Sequence, residues 1–559
     1  ILQHIRGTAE RLFREMDLRD FARFDGWFVS EAEARALLPE SPAPVLFADM
    51  NLICGMEQTS FLFQQAANAG LTHQSLLLNI LNSACTRQGV SLPMISPSLK
   101  PVMLPLPSNG GVTRAESYDP ENEDDPNDRN LKVFILCGGN TSERHVSLMS
   151  GTNAFLQLRK FSDVTPHVFL LDCDGAGSED QYFRAKDKNA RDRAQLLEFG
   201  CREEDLPDHL RHDAPVEALQ LEDRLVYEVP YAELLHHTVE EVREACRANE
   251  LDHISEEEEE TIFADESIAW ADWTKRTPTL YWQNYGRVPL QQAVWNAVDE
   301  SNMIGAKSAW AGQQLQGRNP FSLSTSLRRF VENARVCGAV VFNALHGGGG
   351  EDGRLQSILE KEGVCYTGSG PEASHACFDK NVTALRLAAL AAHGVKTLPK
   401  YELPYWDLVG LADSPDLPVR TWEEVTAALG SPTLVMKPAS DGCSAGVAKV
   451  TCGEDLRQFA VAARDRAGVL EAGSLSAVES ATTMPKWPSD FLLEPFVQTA
   501  DIRVLRGEDG KEELVADWVS DWVEVTVGAV GQSGEMRSLT PSVTVKEMGD
   551  VLTLSLIHI

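Results

Sequence analysis

Two short segments near the start of the chain carry side chains whose types and spacing could hold a metal ion. In FARFDGWFV, the two-residue period of a strand puts Arg23 and Asp25 on one face and Phe24 and Phe28 on the other. In VLFADMN, Asp49 and Asn51 share a face in the same way. Such oxygens suit Mg²⁺, and Arg23 could hold an oxyanion or a transferring phosphate. The structural alternative is an Arg23–Asp25 salt bridge on a solvent-facing strand.

A second segment, TLVMKPASDGCSAGVAKV, is predicted to be a strand ending in Lys437, a loop of small residues and another strand. Small side chains let backbone N–H groups approach phosphate oxygens, and the lysine adds a positive charge. The segment lacks the GxxxxGK[ST] spacing of a P-loop, and an ordinary hairpin explains it equally well.

Two carboxylates bracket the end of a further predicted strand. In FLLEPFVQTAD, Glu494 and Asp501 could bind an exocyclic amine and ribose hydroxyls. Exposed carboxylates at strand ends are also common without a ligand, so the pattern leaves both readings open.

Glu143 and His346 each follow a predicted parallel strand. Glu143 lies in CGGNTSERHVS and His346 in LHGGGGEDG. Open α/β sheets bind ligands at this edge, where Glu143 could pair with a substrate ammonium. GGN is not GxGxxG, so a dinucleotide site gains little support. The alternatives are an ordinary first-turn glutamate and a structural histidine.

The elements that position these residues belong to a chain of 559 residues, about three or four domains at roughly 150 residues each. Fifty basic and 83 acidic residues give a net charge of −33, which disfavours nucleic acid as a partner. The sequence has no apolar run of about 18 residues, so no membrane partner is expected. Eleven cysteines without zinc-site spacing favour reduced thiols.

The sequence pattern divides the chain into successive parts. Residues 1–90 have helical and strand patterns, and residues 91–130 read as a disordered acidic and proline-rich linker. Residues 131–370 contain two βα units of an open parallel sheet, with an acidic insertion at about 175–335. The insertion, with its glutamates at 256–260, is interpreted as a solvated face or as an acidic docking surface. Short strands at 433–437, 491–496 and 522–527 predict mixed or antiparallel sheets, so the fold class is α/β and α+β.

Several of these motifs resemble the D-alanine–D-alanine ligases of the ATP-grasp superfamily. VFNALHGGGGEDG, YTGSG with the following FDK, and MKPASDGCSAGV are close to the family's motifs in order and spacing. The resemblance covers about 131–175, 336–555 and, separately, 1–90. It implies an N-terminal ligase domain in 131–370, a central ATP-grasp subdomain in 371–440 and an incomplete ATP-grasp region in 441–559.

The family resemblance implies an ATP-dependent ligase that acts in peptidoglycan synthesis for the cell wall. ATP phosphorylates the carboxylate of one D-alanine, and the amine of a second D-alanine attacks the acyl phosphate. The implied cofactors are ATP and Mg²⁺ or Mn²⁺.

The resemblance also assigns roles by position. Glu143 resembles the residue that holds the first ammonium, with His346 lining that pocket. The implied nucleotide contacts are Lys380 and Lys437 for phosphates, Glu494 and Val497 for adenine, and Asp501 for ribose. The implied metal ligands are Asp25, Asp49 and Asn51, and the turn for the second substrate contains Gly55 and Ser60. The implied catalytic set is Glu143, Ser147, Arg23, His346, Cys443 and Ser444.

Three features depart from the family pattern. Asp49 replaces a glutamate, which puts bidentate bridging of two ions in doubt, and Cys443 replaces a phosphate-loop serine. The metal-ligand piece, which normally closes a ligase, opens this chain. We therefore expect a fragment of a tandem, plant- or algal-type homologue, with the tail of one unit, residues 1–90, preceding the head of a second.

The two pieces are complementary, so we expect one site to assemble in circularly permuted order. A linker of about 40 flexible residues has a reach on the order of 35 Å, and Asp25, Asp49 and Asn51 should then lie within about 15 Å of the Lys437 amine. The family's covering loop is not found in the sequence, so little ligase activity is expected of this fragment.

Two other classes of function stay open. One is an impaired tandem homologue that serves as an ATP-binding or interaction scaffold, and the other is a D-alanine ligase with a different second substrate. Expected partners are D-alanine and ATP, with a homodimer or intrachain pairing of tandem units. The expected location is the cytoplasm or the plastid stroma, with any targeting segment missing from this fragment.

Overall fold

The computed structural model describes the chain in separate stretches. They are 2–28, 45–58, 60–90, 130–141, 143–172, 221–229, 234, 238–243, 246, 325–390, 395, 397–414, 416–440, 445–465, 467–477, 481–485, 490–506, 512–518, 520, 522–532, 535–543, 545–546 and 556–557. The predicted linker and the glutamates at 256–260 lie outside these residues.

The described helices and strands follow in chain order. The helices are α1 (Leu2–Glu15), α2 (Phe61–Asn68), α3 (His73–Gln88), α4 (Arg144–Leu158), α5 (Leu327–Val336), α6 (Arg354–Lys361), α7 (Pro371–Phe378), α8 (Lys380–Ala389), α9 (Tyr405–Gly410), α10 (Leu417–Leu429) and α11 (Gly453–Arg464). The strands are β1 (Asp20–Phe28), β2 (Val45–Asn51), β3 (Leu131–Gly138), β4 (Val164–Leu171), β5 (Leu225–Val229), β6 (Thr325–Ser326), β7 (Val340–Asn343), β8 (Tyr401–Leu403), β9 (Leu434–Pro438), β10 (Ala448–Val450), β11 (Val469–Leu470), β12 (Thr482–Thr483), β13 (Phe491–Pro495), β14 (Asp501–Arg506), β15 (Glu512–Asp517), β16 (Val523–Gly531), β17 (Arg537–Ser538), β18 (Ser542–Val543), β19 (Val545–Lys546) and β20 (Leu556–Ile557). No helix in the described stretches combines the length and apolar character required to cross a bilayer.

One sheet, here called the N–C sheet, joins strands from the two ends of the chain. Its strand order is β17-β16-β1-β2, and β18 also pairs with β16. β1 runs antiparallel to β16 along its whole length, from Asp20 opposite Gly531 to Phe28 opposite Val523. The alternating valines of WVEVTV had predicted an antiparallel strand, and the structure confirms it. The N-terminal segment, residues 2–90, thus shares a sheet with residues 523–543.

Apolar packing holds helices against both faces of the N–C sheet. Phe13 of α1 packs with Phe24 and Val527 on one face, in a core that also includes residues of α7 and α8. On the other face, the buried side chain of Gln65 in α2 bonds the backbone of β16 at both Thr526 O (3.0 Å) and Gly528 N (2.6 Å). The hydrogen bonds of Gln65 pair buried backbone groups of β16, and the apolar contacts bury nonpolar side chains of the sheet.

A second sheet, the βα sheet, has the order β6-β5-β4-β3-β7. β3 is parallel to β4 and β7, as the two predicted βα units require. β5 and β6 extend it with antiparallel pairing. The predicted insertion at about 175–335 was therefore too long, because Leu225–Val229 and residues 325–336 build the sheet and a helix that packs on it. Short apolar stretches inside an acidic background carried too little signal to reveal this.

A third sheet, the lysine sheet, is antiparallel with the order β10-β9-β13-β8. Its strands come from both predicted regions, 371–440 and 441–559. The structure therefore combines these regions in one sheet. TLVMKPASDGCSAGVAKV forms the β9–β10 hairpin, whose loop at 441–444 lies outside the described residues.

Asp20 fastens the N-terminal segment to the unit that carries the βα sheet. The buried Asp20, at φ +64°, accepts hydrogen bonds from Ser83 Oγ (2.6 Å), Arg87 (2.7 Å) and Gly368 N (2.8 Å). Arg87 also donates to Tyr366 O at 3.1 Å. A buried carboxylate with this many partners fixes the position of β1 relative to the segment between α6 and α7.

Candidate functional site

Charged side chains from the three sheets lie close together, and the region around Arg23, Asp49, Lys437 and Glu351 is here called the crevice. Asp49 at the end of β2 lies 3.9 Å from the Lys437 amine on β9, measured from Oδ2 to Nζ. The expectation that the N-terminal carboxylates reach Lys437 within this chain is confirmed for Asp49. The antiparallel pairing of β1 and β16 makes this approach possible in permuted order.

The predicted metal ligands lie on neighbouring strands. Asp25 faces Asp49 and Arg23 faces Asn51 in the β1–β2 register, which shifts after Asp25. Arg23 forms an ion pair with Asp25 at 2.9 Å, and Asn51 Nδ2 donates to Asp25 Oδ2 at 2.7 Å. The salt bridge anticipated as the structural alternative therefore exists. Its side chains are only 22% and 27% exposed, so it is part of the crevice rather than of a solvent-facing strand.

Asp49 has the properties of an ionised ligand. Burial by itself would raise its pKa, but Lys437, Lys380, Lys400 and Arg23 lower the pKa to about 2. Its Oδ1 atom is buried and has no hydrogen-bond partner among the described residues. An ionised carboxylate with an unpaired oxygen fits a hard cation such as Mg²⁺.

The donor set is nevertheless small. In the described part of the chain, no group of three or more histidine, cysteine, aspartate or glutamate side chains could hold a metal ion. An ion at Asp25, Asp49 and Asn51 would need further oxygens from a substrate, which is how Mg²⁺ commonly binds phosphates.

Lys437 and Lys400 share one carboxylate. Lys437 Nζ lies 2.8 Å from Glu494 Oε1, and Lys400 Nζ lies 2.6 Å from Glu494 Oε2. Burial lowers the pKa of Lys400, whereas Asp49 and Glu494 outweigh burial and raise the pKa of Lys437. Lys380 begins α8, where its backbone N–H donates to Ala439 O at 2.9 Å, and its charge reaches Asp49.

The residues expected around adenine and ribose lie in different surroundings, and for some of them the side chain is outside the described structure. The Glu494 carboxylate binds the two lysines, one through each oxygen. Val497 packs with Leu46 and Trp522 beside the crevice. Asp501 begins β14, and the placement of its side chain lies outside the described structure, as do Cys443 and Ser444.

Glu143 and His346 come together at the carboxyl ends of β3 and β7. A Cβ atom on Gly347 would lie 3.2 Å from Glu143 Oε2, so Glu143 covers the glycine-rich loop after His346. His346 is 4% exposed and contacts Ser150 Oγ at 3.0 Å through Nε2. Burial, with a smaller effect of Arg23, lowers the pKa of His346 to about 3. The imidazole is therefore neutral near pH 7.

Glu351 is a site residue that the sequence predictions did not include. Its Oε1 lies 3.8 Å from His346 Nδ1. Burial and the nearby Glu143 raise the pKa of Glu351 well above its usual value. Two carboxylates at one pocket favour a cationic group such as an ammonium.

Ser147, which belongs to the implied catalytic set, lies between two backbone groups. Its fully buried hydroxyl donates to Ala344 O at 2.6 Å and accepts from Gly138 N at 2.8 Å. These bonds tie α4 to the ends of β3 and β7. A buried hydroxyl that both donates and accepts a hydrogen bond fixes the positions of these loops.

The turn containing Gly55 and Ser60 lies next to this pocket. Met56 N donates to Ser150 Oγ at 2.8 Å, so Ser150 connects the turn to His346. Ser60 Oγ is buried without a hydrogen-bond partner in the described stretches, which suits a ligand-binding hydroxyl. The carboxylate of Glu57 packs against the α-carbon of Gly55, and burial raises the pKa of Glu57.

Lys400 and Glu57 were also missed. Glu57 lies between Gly55 and Ser60 in sequence, so its position alone could have drawn attention to it. Lys400 is in LPKYEL, before a three-residue strand, and nothing in that pattern distinguishes it from a surface lysine.

The sheets and the crevice define a mixed α/β protein whose charged site suits anionic substrates. Residues 132–369 match the family model described as D-ala D-ala ligase N-terminus. The D-alanine–D-alanine ligase of Cupriavidus taiwanensis is 33% identical over 194 residues, 35% of this chain and 53% of that protein. That of Chlorobium limicola is 44% identical over 122 residues, 22% of this chain and 31% of that protein.

Among solved structures, the D-alanine–D-alanine ligase from Coxiella burnetii superposes with a TM-score of 0.32 and 13% identity, covering 77% of this chain and 88% of that one. Over part of its length, this chain is therefore similar to D-alanine–D-alanine ligases. It spans about half the length of the first curated relative, at 53%.

Proposed function

We propose that this chain forms the nucleotide and metal site of an ATP-dependent ligase that joins two D-alanine molecules. The observation that carries the proposal is the 3.9 Å approach of Asp49 to Lys437. Asp49 has a buried oxygen without a hydrogen-bond partner among the described residues. Lys437 belongs to the strand predicted to contact phosphate, and the approach places the two side chains next to each other. The family relationship supports the choice of substrates.

In this proposal, Asp25, Asp49 and Asn51 hold Mg²⁺ together with nucleotide oxygens. The ion, when bound, supplies charge neutralisation at the phosphates. Lys437 and Lys380 offset further negative charge on the nucleotide. Because Asp49 keeps a low pKa among these cations, it stays ionised at all physiological pH values.

The remaining residues orient the amino acids. Glu143, with Glu351 beside it, binds the ammonium of the first D-alanine. A carboxylate oxygen of this D-alanine attacks the terminal phosphate of ATP, which forms an acyl phosphate and ADP. The amine of the second D-alanine then attacks the acyl carbon, loses a proton and displaces phosphate. Arg23 stabilises the developing oxyanion. The neutral His346 lines the pocket without competing for the ammonium.

A different second substrate is the alternative that one observation favours. The Glu57 carboxylate packs on Gly55 inside the turn proposed to hold the second amino acid. Burial raises the pKa of Glu57, and its carboxyl group there could form a hydrogen bond with a hydroxyl of the second substrate. Competition between D-alanine, D-serine and D-lactate for product formation separates these cases.

Calorimetry of the chain with ADP, in the presence and absence of Mg²⁺, tests the proposal. We expect Mg²⁺-dependent binding that Lys437→Met and Asp49→Asn each weaken about tenfold or more. Lys361→Met, at an exposed position of α6, is the matched control and should bind like the parent. Nucleotide binding that is insensitive to both site variants would refute the proposal.

D-Alanine-dependent formation of ADP from ATP then tests the ligase step. Stimulation by D-alanine supports the proposed reaction. Nucleotide binding without stimulation by D-alanine would instead support the scaffold alternative.

A further inference from the structure

In the lysine sheet, the buried carboxylate of Glu494 lies between two buried lysines. Glu494 binds Lys400 through one oxygen at 2.6 Å and Lys437 through the other at 2.8 Å. The three side chains are between 4% and 8% exposed. Lys437 has a role in the proposed function, whereas nothing so far accounts for Lys400.

The strand register explains how Lys400 reaches this position. β8 pairs antiparallel with β13, and Tyr401 at its first position faces Leu493. Lys400 directly precedes Tyr401, so it lies beside Glu494, the next residue of β13. On the other side of β13, β9 places Lys437 opposite Leu492. Lys400 and Lys437 thus approach the same carboxylate from two different strands.

Electrostatics make the two contacts interdependent. A buried carboxylate requires a counter-ion, because burying an isolated charge is costly. With Lys437 as its only cation, Glu494 would hold that amine firmly. Asp49, 3.9 Å away, already attracts Lys437 as well. A second lysine on Glu494 allows Lys437 to move without leaving the carboxylate uncompensated.

We propose that Lys400 is a positioning residue that neutralises Glu494 and so leaves Lys437 available for a nucleotide phosphate. The inference rests on the proposed function, in which Lys437 contacts phosphate. Lys400 itself touches Glu494 and not the nucleotide. Its contribution should therefore appear only for ligands that carry a phosphate within reach of Lys437.

Calorimetric titration of the full chain with Mg²⁺–ADP and with adenosine tests this role. We expect Lys400→Met to weaken ADP binding about tenfold, since Glu494 then competes for Lys437, and to leave adenosine binding unchanged. Lys400→Arg should restore ADP binding to within about threefold of the parent, because arginine keeps the charge. Lys400→Gln, whose amide still donates to Glu494, is the second uncharged variant if the methionine variant does not fold.

The double variant Lys400→Met with Glu494→Gln supplies the decisive comparison. Removing the competing carboxylate should return most of the ADP affinity that Lys400→Met alone loses. A merely structural role predicts the opposite, a double variant as weak as the single one. Equal losses for ADP and adenosine would also overturn the proposal.

Lys437→Met distinguishes failure of this inference from failure of the proposed function. If Lys437→Met weakens ADP binding and the Lys400 variants match the parent, Lys400 has no positioning role but the nucleotide site stands. If Lys437→Met has no effect, the proposed function fails and the inference fails with it.

Discussion

At the residue scale, the crevice contains side chains whose pKa values differ from those in water. Asp49 is held ionised by lysines and an arginine, and His346 is kept neutral by burial. These opposite effects follow from the same principle: burial disfavours charge, and only a nearby opposite charge outweighs it. The site therefore combines a charged edge beside Lys437 with a neutral imidazole beside Glu143.

His346 gives a prediction for stability as a function of pH. Its pKa falls from 6.5 to about 3 in the folded chain, so the unfolded state takes up the proton first as pH falls. This contribution lowers stability below pH 6.5, by about 2 kcal/mol at pH 5. His346→Gln should remove this pH-dependent contribution. The free energy of unfolding of the parent minus that of the variant should therefore rise by about 2 kcal/mol from pH 5 to pH 7.

Urea unfolding at several pH values measures this difference. The exposed His375→Gln serves as the control and should follow the parent's pH dependence. If the His346→Gln and parent curves run parallel over that interval, the imidazole is not buried in its neutral form.

At the scale of elements, the contact between α2 and β16 is the joint that ties the N-terminal segment to the C-terminal strands. Gln65 bonds the backbone on both sides of Val527, and Gly528 leaves room for the helix. A Cβ atom at position 528 would lie 2.8 Å from Leu62 Cδ1 and 3.1 Å from Gln65 Oε1. The absence of a side chain there permits the close approach.

Gly528→Ala should consequently destabilise the fold by about 1–3 kcal/mol through overpacking. Gly7→Ala is the matched control, because Gly7 is exposed within α1 and a Cβ there meets no atom within 4 Å. It should stabilise the chain by roughly 0.5–1 kcal/mol. Denaturant unfolding compares the two, and a neutral Gly528→Ala would show that α2 can shift without loss.

At the scale of the whole molecule, the order of the pieces matters less than their complementarity. β1 lies between β16 and β2. Asp20, the first residue of β1, accepts hydrogen bonds from Ser83, Arg87 and Gly368. The metal-ligand piece and the lysine sheet are therefore held together by pairing and packing and not by proximity along the chain.

Cleavage between residues 91 and 129 should leave the two pieces associated. With a protease site introduced there, we expect both pieces to elute together and to keep Mg²⁺-dependent ADP binding. Ala22→Pro, which removes an N–H from β1 opposite Ala529, is the control that should release the N-terminal piece. Separation of the unmodified pieces on cleavage would contradict the permuted assembly.

Light scattering distinguishes pairing within one chain from pairing between copies. A monomer that binds ADP supports intrachain assembly, and binding confined to a dimer would show that the segment is exchanged between chains.

The sequence by itself determined the strands around Arg23, Asp49, Lys437 and Glu494, because alternation of polar and apolar residues is a local property. It also predicted a resemblance to D-alanine–D-alanine ligases, through motifs that lie close together along the chain. It did not reveal Leu225–Val229 as a strand of the βα sheet, since a short apolar run in an acidic region is ambiguous.

Only the tertiary structure decided which residues share the crevice. Lys400 has no distinguishing local pattern, and the sequence did not show that the hydroxyl of Ser147 is buried between two backbone groups. Burial and charge pairing between residues hundreds of positions apart depend on how the sheets pack, and a linear pattern does not encode those distances. The meeting of Asp49 and Lys437 is the clearest case, because it exists only once β1 has paired with β16.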